Sequence, residues 1–174
     1  MFSIYKSHYN LLYNKLVELS RNIFFYKDIL LKDNFETRIN LIFIHFSIIL
    51  LIFKKRKKDF PQEIFDNIFQ SIEFHIRELG YGDVTVNKKM KTLTRLFYDI
   101  LLKINNSKDE GFVTSHEILK TYFDPIEDNK PMIIVNLSEY FDAFYNFCFE
   151  IKGDIMLKGQ INFKHLNKHG SSQT

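Results

Sequence analysis

Residues 39–53 restrict the fold more than any other stretch: of fifteen positions only Asn40, His45 and Ser47 are polar, and Arg38 and Lys54 close the run abruptly. A helix that crosses a bilayer core needs ~20 predominantly apolar residues. This run falls short, and His45 stands at its middle, where a lipid-facing position would not accommodate it. The stretch therefore reads as the buried central helix of a helical bundle. The alternative is a helix embedded in, or lying on, a membrane surface.

A central apolar helix has to be wrapped, and the flanking sequence supplies amphipathic segments. Tyr5, Tyr9, Leu12, Leu16, Leu19 and Ile23 make one stripe, which predicts a first helix over residues 4–20. Residues 20–32 continue as helix or turn, with Phe24, Phe25, Tyr26 and Ile29 adding bulk. Asp33, with Glu36 three residues on, is the expected cap of the central helix. Pro61 suits the first turn of the next one, and Ile64, Phe65, Ile68, Ile72 and Ile76 recur at helical spacing up to Leu79. Gly80 should stop that helix, because glycine takes the left-handed conformation without a Cβ clash, and Gly82 adds a second permissive joint. Thr85 is the expected N-cap of the following helix, with Asp83 placing negative charge near its positive end. That helix, residues 86–104, turns Val86, Met90, Leu93 and Phe97 inward and Lys88, Lys91 and Arg95 outward.

Beyond it the signals thin. Residues 105–111 are a polar loop, and Thr114 with Glu117 is a capping box for a short helix to Phe123. Residues 124–131 form a second break, and 132–135 carry no assignable pattern. Ser138 is expected to cap a helix that turns Tyr140, Phe141, Phe144, Cys148 and Ile151 inward. A short helix around 154–157 should end at Gly159, and residues 167–174 are expected to be a disordered tail. Three Pro and six Gly in 174 residues disfavour a turn-rich β-sandwich. The expected fold is all-α: one domain over residues 1–166, a single compact bundle of about six to eight helices.

Catalytic patterns are sparse. Gly80-x-Gly82 follows a helix rather than a strand, so it is no phosphate-binding loop. No His pair stands at i, i+4, and Cys148 is alone, so neither a zinc site nor a disulfide is indicated and no cofactor is expected. His45 reads as a core histidine with a backbone or carboxylate partner, the sharper alternative being a ligand role. The chain is not expected to be an enzyme. Its net charge of +3 is unevenly spread, with five successive cations, Lys54, Lys55, Arg56, Lys57 and Lys58. They and the basic face of the 86–104 helix are candidates for phosphate-rich partners, with no module for reading a nucleic-acid sequence. The N-terminal residues carry neither a secretory signal nor a transit-peptide composition, which suggests action in a bacterial cytoplasm.

The stretch Arg77-Glu-Leu-Gly-x-Gly-Asp83, followed by Lys88-Lys89-Met90-Lys91 and Phe97-Tyr98, resembles the signature of the ubiquinol–cytochrome c chaperone family. The resemblance extends to Phe25-Tyr26, Asp33, Arg38, His45 and Asp66, and Leu157 through Phe163 resembles the family's Leu-x-x-Gly-x-x-x-Phe ending. It departs at Glu36-Thr37, where relatives place Gly before the Arg, and fades over residues 105–136. Members assist assembly of the cytochrome b-containing respiratory complex III in mitochondria and alphaproteobacteria. What the resemblance implies is a non-enzymatic chaperone that binds newly made cytochrome b or an assembly partner, with contacts to the ribosome and to anionic membrane as further expectations. The partner-binding residues would be Arg77, Asp83, Lys88, Lys89, Lys91 and Arg95, with the 54–58 cations beside them. The place of action would be cytoplasmic, at the inner face of the cytoplasmic membrane. Short of that, the residues themselves also allow a peripheral membrane protein that uses the 39–53 helix and Lys54–Lys58.

Overall fold

The computed structural model describes residues 10–105, 115–123 and 131–165. Among them the chain is all-α: α1 (Leu11–Ser20), α2 (Ile23–Lys27), α3 (Phe35–Lys55), α4 (Gln62–Glu78), α5 (Asp83–Asn105), α6 (His116–Tyr122), α7 (Pro131–Glu150) and α8 (Gly153–Leu157). The expected 167–174 tail lies outside the described residues, as do the 105–111 loop apart from Asn105, which ends α5, and the 124–131 break apart from Pro131, which begins α7.

The apolar run is the middle of the bundle. By length and mean hydropathy (1.7) α3 could cross a membrane, yet 72% of its most apolar window is buried inside the protein. Every residue from Ile39 to Phe53 except the half-buried Leu50 is buried. Helices α1, α5 and α7 cover it, so its apolar surface is spent on the core rather than offered to lipid. Much of that core is aromatic. Phe97 of α5, fully buried, meets Phe43 and Phe46 of α3 and Phe65 and Phe69 of α4 at centroid separations of 5.2–5.7 Å.

These contacts also fix helix directions. Phe60, just before α4, packs on Phe46 and Phe53, while His75 near the end of α4 stacks on Phe35 at the start of α3. So α4 runs antiparallel to α3, and the 79–83 corner places the start of α5 at the α3 N-terminal end.

Several caps sit one or two residues from their expected places. Asn34, not Asp33, caps α3, its side chain accepting from the Thr37 N–H at 2.8 Å, while Asp33 is taken by Arg38. Helix α5 begins at Asp83, so Thr85 lies within its first turn; Gly82 already supplies the carbonyl that accepts from Val86 at 3.0 Å. Thr114 lies outside the described residues, and Ser115 caps α6 through the Glu117 N–H. Ser138 is no cap: α7 starts a full two turns earlier at Pro131, a residue whose missing N–H costs nothing in a first turn. Residues 132–135 are thus helical.

The glycine endings are as expected. Gly80 has φ +90° and donates to the Arg77 carbonyl at 2.9 Å, with open space where a Cβ would stand. Only the backbone conformation penalises a side chain there. Gly80→Ala is therefore expected to lose about 1 kcal/mol of stability, read from denaturant midpoints; an unchanged midpoint would show the corner relaxing out of the left-handed region. Gly159 (φ +66°) ends α8 with two backbone bonds, its own N–H to the Met156 carbonyl and that of Gln160 to the Ile155 carbonyl. It also lies against α1: a Cβ there would stand 2.3 Å from the Leu11 carbonyl oxygen. From Gly159 the chain returns across the bundle, burying Ile161 and setting Phe163 edge-to-face with Tyr140 and Phe144 at 5.4 Å each.

Candidate functional site

The signature residues around the corner have structural partners. The Arg77 guanidinium reaches back to Glu73 at 2.8 Å and forward to Asp83, tying the last turn of α4 to the first turn of α5. The two carboxylates hold the Arg77 proton more tightly than usual, the Asp83 hydrogen bond contributing most. Lys89 lies over the Tyr81 ring at 4.6 Å. Arg77, Asp83 and Lys89 are thus engaged in bracing the corner, while Lys88, Lys91 and Arg95 project from α5 into solvent.

The second cluster of cations has a local task as well. Lys57 takes φ +53°, and the N–H groups of Lys57 and Lys58 donate to the carbonyls of Lys54 (2.9 Å) and Phe53 (3.0 Å), which closes the end of α3. Positive charge suits that helix terminus. Lys55 donates to the Tyr145 hydroxyl at 3.1 Å, and Arg56 donates to the Phe149 carbonyl and lies 5.4 Å from the centre of that ring, so both are fastened to α7. Lys54, Lys57 and Lys58 remain exposed. Because α4 and α5 reverse direction, these cations and those of the first half of α5 occupy opposite ends of the bundle. The structure does not bring the two clusters together.

What it does bring together at the corner end is a cleft of about 380 Å³ between α1, the start of α3 and the end of α4. Val17, Ile39, Ile42 and Ile72 form its apolar lining, and Asn14, Arg21, His75 and the Asp33–Arg38 pair add polar groups. Arg38 grips Asp33 through Nε and Nη2 at 2.8 and 2.7 Å. Tyr26 sits beside this pair and donates to the Ser20 carbonyl at 2.6 Å; burial, then Asp33, push its phenol upward, so it stays a neutral donor. Phe35 and Leu79 line the cleft with exposed apolar surface. An apolar floor with a polar margin suits a side chain or helix end of another protein. Among the described residues no group of three or more His, Cys, Asp or Glu could hold a metal ion.

His45 is a core residue. Its neighbour at 2.6 Å is the Leu41 carbonyl, which can only accept, so Nδ1 carries the proton and Nε2 accepts from the Tyr140 hydroxyl at 2.9 Å. Burial lowers its pKa to about 4, keeping the ring neutral. Cys148, wholly buried in α7, is pushed up to about 12 by the same desolvation and is no thiolate nucleophile at neutral pH.

A family model described as Ubiquinol-cytochrome C chaperone matches residues 27–124. The chain belongs to the ubiquinol–cytochrome c chaperone family. The family match spans α3 through α6 and continues past residue 105, beyond the signature stretch. A solved structure, the crystal structure of the Cbp3 homolog from Brucella abortus, superposes with a TM-score of 0.65 at 25% identity, covering 88% of this chain and 87% of that one. No curated protein matches. Within this family member, Tyr26, Asp33 and Arg38, three positions of the resemblance, meet beside the cleft. Tyr13, Arg21, Phe35 and His75 line it without having stood out in the sequence. They come from three separate segments, and only Arg21 and His75 carry side chains that a search for exposed polar groups could have found.

Proposed function

We propose that this chain is an assembly chaperone for cytochrome b in ubiquinol–cytochrome c reductase, respiratory complex III, and that it receives newly made cytochrome b or an early assembly intermediate at the corner-end cleft. The observation that carries the reading is the cleft itself: apolar floor, charged margin and exposed Phe35 and Leu79, with its α3 and α4 walls inside the residues that the family model matches. Such a surface can hold an apolar segment that has not yet found its own partners, while the polar margin limits depth and orientation. Binding of this kind needs no bond-making chemistry. The proposed place of action is the cytoplasmic side of the membrane where cytochrome b is inserted. The exposed cations after α3, Lys54, Lys57 and Lys58, supply attraction to ribosomal RNA or anionic headgroups there.

Deletion of the gene is expected to lower the amount of assembled cytochrome b complex, and the parental gene to restore it. Leu79→Asp, an exposed substitution on the cleft wall, should restore it poorly while melting like the parent. Assembled complex at parental levels in the deletion strain would refute the reading.

A further inference from the structure

The outward face of α5 carries a second, unoccupied pattern. Val84, Lys88, Lys91, Arg95, Tyr98 and Leu102 follow one another at alternating steps of four and three residues, and all six are exposed. That is the spacing of a coiled-coil seam, and it runs roughly 27 Å along the helix at 1.5 Å per residue. The seam is apolar at both ends, where Val84 is 71% exposed, Tyr98 51% and Leu102 60%, and cationic in the middle. Among the described residues none of the three cations forms an ion pair. The nearby carboxylate, Asp99, is already held by Lys103 at 2.9 Å and by the Tyr122 hydroxyl, which keeps its carboxyl below the usual range.

We propose that this face docks an amphipathic helix of another protein, with carboxylates at the centre of its seam and apolar residues at both ends. The order of residues selects a helix over a lipid surface. A helix lying on a bilayer puts its apolar residues along the centre line and its cations on the flanks, where they can reach headgroups. Here the cations share one line with Val84, Tyr98 and Leu102, so sinking the ends into lipid would drag three charges with them. A partner helix meets every position: apolar against apolar at the ends, carboxylate against cation between. That the partner belongs to the complex III assembly machinery rests on the proposed function; the chemistry of the face does not.

The test uses two synthetic helical peptides that share apolar residues at the outer seam positions and differ at the three central ones, Glu in one and Lys in the other. Fluorescence anisotropy with the parental protein is expected to show binding of the Glu peptide, weakening with salt, and none of the Lys peptide. K88Q/K91Q/R95Q should bind the Glu peptide roughly tenfold less tightly, as loss of three surface charge pairs implies, with an unchanged melting temperature. K88E/K91E/R95E should reverse the preference. Equal affinity for both peptides, no binding of either, or binding only to phosphatidylcholine vesicles containing phosphatidylglycerol would overturn the proposal, the last assigning the face to lipid. The peptide comparison needs no variant and no complex III, so its failure is separate from that of the deletion experiment.

Discussion

Gly159→Ala is expected to be among the most damaging single-methyl additions to this protein, losing ~3 kcal/mol or more and lowering the melting temperature by roughly 6–12 °C. Two effects add. The left-handed backbone at φ +66° penalises any L side chain by about 1 kcal/mol. The new methyl would also stand 2.3 Å from the Leu11 carbonyl oxygen, which is backbone and cannot swing away, so α1 or the α8 ending must shift. Gly80→Ala is the internal control, since it has a positive φ without the collision. Thermal and denaturant unfolding of both variants measures the difference. Equal losses would mean that α8 rests loosely on α1.

Acid should weaken the fold through His45. Its pKa lies at about 4 in the folded protein against an ordinary value of 6.5, because burial disfavours the charged ring. Between those values the unfolded chain takes up a proton that the folded one refuses. Stability is therefore fully present above pH ~6.5 and is lost as pH falls toward 4, by up to ~3 kcal/mol over the interval. The Leu41 carbonyl offsets part of the burial effect, and the Tyr140 hydroxyl has to turn round once Nε2 becomes a donor. His45→Gln removes this titration, so the slope of its unfolding free energy between pH 6.5 and 4.5 should be flatter than the parent's by up to 1.36 kcal/mol per pH unit. Parallel slopes would show that His45 is protonated inside the folded protein.

The centrality of α3 was legible because fifteen residues with three polar members leave few ways to avoid water. Leu79-Gly80 announced the corner for a similarly local reason. Exact helix starts were less so, since two or three neighbouring polar residues can serve as caps. Asn34 prevailed over Asp33, which Arg38 engages, and Ser115 caps α6 where Thr114 had been expected. Ser138 misled because a serine beside an apolar run looks like a start, whereas its helix is already two turns old. The role of the signature was half legible. Its glycine ends a helix, but that Arg77 and Asp83 bind each other depends on how the chain turns between them. The cleft was not legible, because it joins residues 13–21, 33–42 and 72–79 and arises only when three helices pack.

The contact between Gly159 and the Leu11 carbonyl bears on the order in which the protein can be completed. Helix α1 is synthesised before any other described helix, yet the segment that closes over its first turn comes from the end of α8. While a ribosome is still adding α7, α1 can only be provisionally seated, and its apolar residues Leu12, Leu16 and Leu19 depend on α3 and α4 for cover. Final closure is a long-range step, the kind that loop-closure entropy makes late. A chaperone built this way acquires its finished shape only once Gly159 has left the ribosome and reached the Leu11 carbonyl.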